Sequence, residues 1–332
     1  MKAIELTNYG SPDYFELKQV VKPTPKNNEV LVKVHAVSVN SWDWEILIGK
    51  PFVNRFMVGL LKPTRIKILG CDIAGRIEAI GENVKQFHVG DEVFGDISHC
   101  GWGGFAEYVC VRENANALAL KPPSLTFEQA AAIPQAAVLA LQGLRKGKID
   151  RAQKVLINGA SGGVGSFAVP MAKSYETEVT GVCSTPKMDF VRSLGADHVI
   201  DYKQEDFTQN DKQYDLILDI KGYHSIFDYK RALSPNGIYV MVGGSSSLVN
   251  QLFLLGPWIS MFGSRKMGLL LHKPNANDLD YVKTLFEAGK ITAVIDKRYP
   301  LSEVAEAIRY FGEGHAKGKV VITIEQSKTN LS

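Results

Sequence analysis

The sequence predicts an α/β chain of two domains, an irregular β-barrel and a doubly wound parallel sheet, and three observations carry that expectation. The first third is built of short apolar runs cut by glycine turns. From Lys154 the chain alternates apolar strands with helical patterns, the order of a parallel sheet covered on both faces. Between one such strand and the next helix stands NGASGGVG, residues 158–165. The length of 332 residues suits two domains.

In EVLVKVHAVSVN, Val30, Val32, Val34 and Ala36 alternate with Leu31, Lys33 and His35, the period of a half-buried strand. DIAGRIEAIG, GDEVFGD and GGFAEYVCV read as further strands. One helix is expected among them, because Val53, Phe56, Met57 and Leu60 fall on one face at helical spacing. The texture changes at Lys121-Pro122-Pro123, followed by the helix-rich TFEQAAAIPQAAVLALQGL. KVLIN, TEVTGVC, HVIDY, YDLILDI, GIYVMVGG and RKMGLLL then read as strands, with helices at VGSFAVPMAK, PKMDFVRSL and SIFDYKRAL. Two helices, 277–289 and 303–311, precede a last strand, KVVITIE, which is apolar enough to need a sheet and is expected in the barrel. The domains are therefore set at 1–125 plus 273–332 and at 126–272.

Composition narrows the function. Apolar residues make up 45% and charged residues 22%, ordinary for a globular protein. A net charge of +3 without a basic, aromatic-interleaved stripe gives no reason to expect nucleic acid. MKAIELTNYG lacks the apolar core of a signal peptide. LFLLGPWISMF (252–262) is too short for a span and is interrupted by Gly256 and Pro257. Cysteines 71, 100, 110 and 183 form no disulfide framework, so a cytoplasmic, reducing setting is expected.

The glycine turn is read for chemistry in its strand-to-helix context. Gly159 permits the tight turn, Gly162 and Gly163 let the backbone approach a diphosphate, and Gly165 lets the helix pack near the sheet. The N–H groups from Ser161 to Val164 then face negative charge at a helix start. The plainer reading is a tight turn alone. Dinucleotide sites usually place an acid at the end of the next strand, for the ribose hydroxyls. Here that strand ends in Cys183, Ser184, Thr185, Pro186 and Lys187, and Tyr202 follows the strand after it. Hydroxyls and an ammonium without an acid favour a 2′-phosphate, so the expected cofactor is NADPH. Lys187 as a solvated first-turn residue is the alternative.

Seven stretches, NSWDW (40–44), LGCDIAGRIEAIG (69–81), VGDEVFG (89–95), GGFAEYV (103–109), ASGGVG (160–165), LGADHVIDY (194–202) and GHAKGKVVI (314–322), occur in one order. With them the chain resembles the medium-chain dehydrogenase/reductase superfamily, and within it the zinc-independent quinone oxidoreductase and enone reductase group that includes chloroplast-envelope quinone oxidoreductase homologues. The resemblance implies a GroES-like catalytic domain, a Rossmann domain, and a homodimer through the last Rossmann strand, 265–271. Zinc-dependent members have Gly-His-Glu where this chain has Gly70-Cys71-Asp72, and a cysteine ligand near Asn40–Asp43, where none exists. A catalytic zinc needs three protein ligands, so no metal is expected. A tyrosine common in the group falls at Glu45, and a threonine at Leu139.

Without zinc, ordinary alcohol oxidation loses its Lewis acid. A quinone or α,β-unsaturated carbonyl carries the developing charge to oxygen by conjugation and needs less help. The expected function is hydride transfer from NADPH to such acceptors. Asn40 is assigned to positioning substrate or nicotinamide, with a local turn role as the alternative, and Asp43 to structural support; no general acid is assigned. Val242 and Gly243 are expected beside the nicotinamide, at a strand's carboxyl end. Lys319 is expected to reach a cofactor phosphate or to lie on the surface. Trp42, Trp44 and Trp102 are expected to wall the acceptor pocket or to be simple core. The basic residues Lys50, Arg55, Lys62, Arg65 and Lys67, with 252–262, suggest a weak peripheral membrane contact or a lid with solvated lysines. An NADPH-binding protein with little turnover and a zinc-free ketone reductase are the other functions in play.

Overall fold

The computed structural model describes residues 1–52, 54–115 and 117–325. The chain forms two compact units, one from Met1–Gln135, Pro274–Lys283 and the chain from Ala293 onward, the other from Ala136–Lys273 and Thr284–Thr292.

The first unit opens with a ribbon, β1 (Lys2–Leu6) against β2 (Phe15–Gln19). β3 (Glu29–Ser38), α1 (Ser41–Ile48), α2 (Asn54–Val58), β4 (Asp72–Ile80), β5 (Glu92–Asp96), β6 (Tyr108–Arg112), β7 (Leu118–Leu120) and α3 (Phe127–Ala131) follow. β3 is the spine, antiparallel to β4 on one edge and to β6 on the other, and β5 and β7 extend the sheet beyond β4. Its expected alternation holds except at Leu31, which the sequence period places on the outward side and which is buried (4% exposed). Val30, Val32, Val34 and Ala36 are fully buried, while Lys33 and His35 are partly exposed.

Three details differ from the sequence reading. α1 was not expected, yet its ends are marked: Asn40 stands before it in extended conformation, and Gly49 closes it at φ 64°, a left-handed position that suits glycine. The expected helix shrinks to the short α2, which holds Phe56 and Met57 but ends before Leu60, and those three side chains are exposed rather than packed; Val53 lies outside the described residues. α3, placed by sequence in the second domain, packs on β3 and β4 of the first. The proline pair at 122–123 marks a change of secondary structure, not the place where few contacts cross.

α4 (Pro134–Lys146) leads into the second unit. It contains β8 (Lys154–Asn158), α5 (Gly165–Lys173), β9 (Glu178–Cys183), α6 (Met188–Ser193), β10 (His198–Asp201), β11 (Tyr214–Asp219), α7 (Ile226–Ala232), β12 (Leu233–Met241), α8 (Ser246–Phe262) and β13 (Lys266–Leu269). The strands form a wholly parallel sheet in the order β10-β9-β8-β11-β12-β13. The order reverses between β8 and β11, the switch point at which such sheets bind ligands. Leu156, Val182, Ile217, Tyr229, Tyr239 and Leu252 belong to its core. α8 is a correction: Gly256 and Pro257 do not break it. Gly256 lies on the buried face, where a Cβ would meet the Met267 carbonyl at 3.3 Å, so glycine allows the helix to sit close to β13. Among the described residues no helix is long and apolar enough to cross a membrane.

α9 (Ala276–Glu287) carries the chain onward, and β14 (Ile295–Pro300), α10 (Val304–Gly312) and β15 (Lys319–Thr323) complete the first unit. β15 lies between β14 and β3, parallel to the one and antiparallel to the other. The last strand thus enters the GroES-like sheet, as its apolar sequence required.

Candidate functional site

In the first unit the ends of four strands gather polar residues that the core would otherwise exclude. The β3–β4 register pairs Ser38 with Asp72, and the β4–β5 register pairs Asp72 with Asp96. β15 pairs Val321 with Ser38, and two residues further along the same register Lys319 stands opposite Asn40. All five side chains are buried. Lys319 Nζ donates to Asn40 Oδ1 at 2.5 Å and to the Val39 carbonyl at 3.3 Å, and lies 3.7 Å from Asp72 Oδ2. Asn40 Nδ2 donates to Asp72 Oδ2 at 3.0 Å and lies 3.5 Å from Cys71 Sγ. Asp72 also accepts from the Ser38 hydroxyl at 3.2 Å and from the Gln135 amide at 3.1 and 3.2 Å. An ammonium has only donors, so its bond fixes which end of the Asn40 carboxamide faces it.

Beside this group Asp43, fully buried at the third position of α1, accepts the Asn40 N–H at 2.8 Å and the Gly70 N–H at 2.9 Å. It ties the start of α1 to the loop before β4, the structural part expected of it. Burial pushes its carboxyl up to about 7, against those two hydrogen bonds. Burial also raises Asp72, opposed by Lys319, raises the Cys71 thiol, and lowers Lys319 itself.

The sequence roles for Asn40 and Lys319 change accordingly. Lys319 is neither a surface lysine nor an open phosphate ligand, because its ammonium is held by Asn40, Val39 and Asp72. Asn40 is 4% exposed and its carboxamide is engaged at both ends. The three tryptophans do not converge. Trp42 stacks on Trp102, centroids 5.9 Å apart. Trp44 packs on α10 over Gly312, where a Cβ would come within 2.3 Å of the ring. Two residues apart on one helix, Trp42 and Trp44 point to different sides. Trp102 is buried with φ 67°, a strained position for so large a side chain.

In the second unit the glycine turn follows β8 at the switch point. Gly159 has φ 84°, and its N–H and that of Ala160 donate to the Val182 carbonyl at 3.1 and 3.0 Å, fixing the turn to β9. A Cβ on Gly165 would lie 2.3 Å from the Gly159 carbonyl, so only glycine lets α5 begin there. Among the described residues, no backbone carbonyl accepts from the turn N–H groups of Ser161, Gly163 or Val164. Val242 and Gly243 cross to β11, both N–H groups donating to the Asp219 carbonyl, at 2.7 and 3.2 Å. Asp219 itself was missed by the sequence reading. Its buried carboxylate accepts from Asn158 Nδ2 at 2.8 Å and Tyr239 OH at 2.6 Å, bracing the two strands on either side of the switch point.

The end of β9 also needs correction. It carries no acid, but β10 runs parallel to it with Asp201 level with Cys183. Thr185 Oγ1 donates to Asp201 Oδ2 at 2.5 Å, which holds that carboxyl below its usual range. Thr185 thus faces a carboxylate rather than an open anion site. Ser184 and Lys187 are partly exposed in the turn that follows, and Tyr202 is 47% exposed at the end of β10. The basic residues around α2 are not all solvated: the Arg55 guanidinium lies over the Tyr9 ring, and Arg65 donates to the Phe56 carbonyl.

A parallel nucleotide-type sheet with a glycine turn, in a chain that also holds a GroES-like sheet completed by its last strand, defines a dehydrogenase/reductase architecture. Residues 26–123 match the alcohol dehydrogenase GroES-like domain, and 194–322 the zinc-binding dehydrogenase family. The chain is 32% identical to the chloroplast envelope quinone oxidoreductase homolog of Arabidopsis thaliana, with 97% of this chain and 98% of that protein covered. It is 31% identical to the chloroplastic NADPH-dependent alkenal/one oxidoreductase of the same plant, covering 97% and 79%. The solved quinone oxidoreductase of Coxiella burnetii superposes with a TM-score of 0.87 at 29% identity, covering 98% and 99%. This chain belongs to the medium-chain dehydrogenase/reductase superfamily.

The second family description names zinc, and the donor set can be tested for it. Cys71 Sγ and carboxylate oxygens of Asp72 and Asp96 lie within 4.8 Å of one another. Their lone pairs are already addressed by donors. Asn40 and Gln135 point N–H groups at Cys71 Sγ, at 3.5 and 3.7 Å, and Asp96 accepts the Ser98 N–H at 2.8 Å. Asp72 carries three donors and the nearby ammonium. With Lys319 in place, a second cation does not fit.

The buried carboxyls predict a pH dependence. Asp43 titrates from 3.8 unfolded to about 7 folded. Between these values the folded chain holds a proton that the unfolded chain has released, so this group's contribution to stability falls as pH rises from about 4 to about 7 and is flat above, with a slope of at most about 1.4 kcal/mol per pH unit. Urea unfolding across that range should show the downward slope flattened in Asp43→Asn relative to the wild type. Identical slopes in the two proteins would contradict the assignment.

Proposed function

We propose that the chain is an NADPH-dependent oxidoreductase that reduces quinones or α,β-unsaturated carbonyl compounds without zinc. The glycine turn at the switch point of the parallel sheet carries this reading, because it offers backbone N–H groups to a diphosphate at a helix start. The names of the two Arabidopsis relatives support the acceptor class, and one of them supports NADPH.

The residues are assigned as follows. Ser161, Gly163 and Val164 offer N–H groups to the diphosphate, Gly162, whose own N–H donates to the Gly159 carbonyl at 3.1 Å, leaves it room to approach, and Val242 and Gly243 line the nicotinamide. Ser184, Lys187 and Tyr202 receive the 2′-phosphate, while Thr185 shapes that turn through Asp201. Trp42 presents apolar surface for the acceptor, and the buried Trp102 on which it stacks is core that backs it. Asn40 orients its surroundings through the bonds it makes to Lys319 and Asp72. NADPH supplies the hydride when bound; the chain's task is orientation and exclusion of water. A proton from water or the nicotinamide ribose completes the reduction, and the acceptor's conjugation carries the charge to oxygen before it arrives.

A cytoplasmic, reducing setting is retained in the proposal and is supported by four cysteines, all free. The relatives are named for the chloroplast, so a plastid or other organelle is the alternative. A homodimer through 265–271 is also retained. β13 is the terminal strand of its sheet, and α8, packed on it, exposes Phe253, Leu254, Trp258, Met261 and Phe262. Such a patch is larger than single exposed apolar residues explain.

Three measurements check these statements. NADPH oxidation should appear with simple quinones or medium-chain enones, with C=C or quinone reduction in the products. Tight NADPH binding without turnover would identify a binding protein instead, and isolated-ketone reduction would identify a carbonyl reductase. Lys187→Ala should weaken NADPH by about 1.5–3 kcal/mol and leave NADH nearly unchanged; equal losses would remove Lys187 from the phosphate site. Sedimentation should give a dimer that Trp258→Asp converts to monomer. A monomeric wild type that instead floats with anionic vesicles would assign the α8 face to a membrane surface.

A further inference from the structure

We infer that Lys319 is the resident cation of the first unit's polar centre, that it excludes a metal ion from the Cys71–Asp72–Asp96 cluster, and that its removal would open a zinc site there. The inference deepens the zinc-free reading proposed above and rests on it. The geometry is that of a cation already bound. One ammonium touches a carboxamide oxygen at 2.5 Å and a backbone carbonyl at 3.3 Å, and sits 3.7 Å from a carboxylate. These are oxygen donors of the kind a metal ion also seeks. Cys71 Sγ and carboxylate oxygens of Asp72 and Asp96 lie within 4.8 Å of one another. Three ligands of that type suffice for a catalytic zinc with one open position.

What prevents occupancy is charge and hydrogen bonding rather than a lack of ligands. Lys319 arrives on β15, and its register opposite Asn40 is fixed by the pairing of β15 with β3. It cannot swing into solvent, because it is 3% exposed. Its bond to Oδ1 turns Nδ2 of Asn40 toward Asp72 and Cys71, so the same lysine that supplies positive charge also makes the carboxamide cover the two strongest metal ligands. Lys319→Met would remove the charge, release Oδ1, and let the carboxamide turn over.

The test is metal content of the full chain after incubation with excess zinc chloride and desalting, read by elemental analysis. Wild type is expected to retain less than about 0.1 zinc per chain, and Lys319→Met about one, with the gain lost in Lys319→Met/Cys71→Ser. Stoichiometric zinc on the wild type, or a folded Lys319→Met that takes up none, overturns the inference. If Lys319→Met fails to fold, Lys319→Met/Asp72→Asn removes both partners of the buried pair. It should recover a cooperative thermal transition and bind no zinc, and failure of this double variant to fold also overturns the inference. Because the readout is metal content, a wild type inactive with every acceptor would remove the proposed activity and leave this assignment standing.

Discussion

The ion pair between Lys319 and Asp72, bridged by Asn40, is the constraint on which the first unit's architecture turns. Taking these charges out of water costs several kcal/mol per ion unless the remaining donors and acceptors are satisfied. Here they are: Asp72 receives N–H and O–H groups from Asn40, Gln135 and Ser38 as well as the ammonium. The bond from Lys319 to Asn40 spans 279 residues of chain. Stability of the centre therefore requires that the last strand has found its place beside β3. A displaced β15 would leave Asp72 buried without its cation, the state most strongly penalised. The pair thus gives the distant C-terminal strand a reason to adopt one register, since a shift by one residue would turn Lys319 to the other face.

The second unit solves the opposite problem. There, among the described residues, the N–H groups of Ser161, Gly163 and Val164 meet no backbone carbonyl, and the structure around them supplies rigidity. Asp219 is the organising residue. Its backbone carbonyl receives Val242 and Gly243, and its carboxylate receives Asn158 and Tyr239, so β8, β11 and β12 are locked together where the strand order reverses. Burial raises its carboxyl while those hydrogen bonds lower it. An acid satisfied from within can stand near the glycine turn proposed for the diphosphate because its lone pairs are turned toward its own strands.

Legibility in the sequence followed the distance over which each feature is encoded. The alternation in β3, the apolar β8 and β11, and the glycine turn were readable because period and spacing act within a few residues. Gly165 was readable for its cause as well, since its missing Cβ is what lets α5 start against Gly159. Asp201 was not, because it is one strand removed and reaches Thr185 only through the parallel register of β9 with β10. Lys319 looked like any lysine in AKGK until β15 set it beside Asn40. Trp42 and Trp44 appeared as a pair in NSWDW, but helical geometry separates two residues that an extended chain would align. α8 was obscured by Gly256-Pro257, a breaker by local rule, which the helix absorbs because the glycine faces β13. Local grammar gave the elements; pairing decided which side chains meet.

The internal cation bears on the kind of chemistry the proposed reductase can do. A lysine whose ammonium is held by Asn40, Val39 and Asp72 cannot move to an acceptor oxygen, so it offers neither the proton nor the charge that an unactivated ketone would draw on. It does keep Asn40 in one orientation and Asp72 charge-compensated, which preserves the shape of the site without offering it a catalytic charge. Acceptors that delocalise negative charge through their own conjugation are the ones least dependent on such help. Quinones and enones meet that condition, and isolated carbonyls do not. A fixed ammonium at this centre agrees with the zinc-free reduction of conjugated acceptors proposed above.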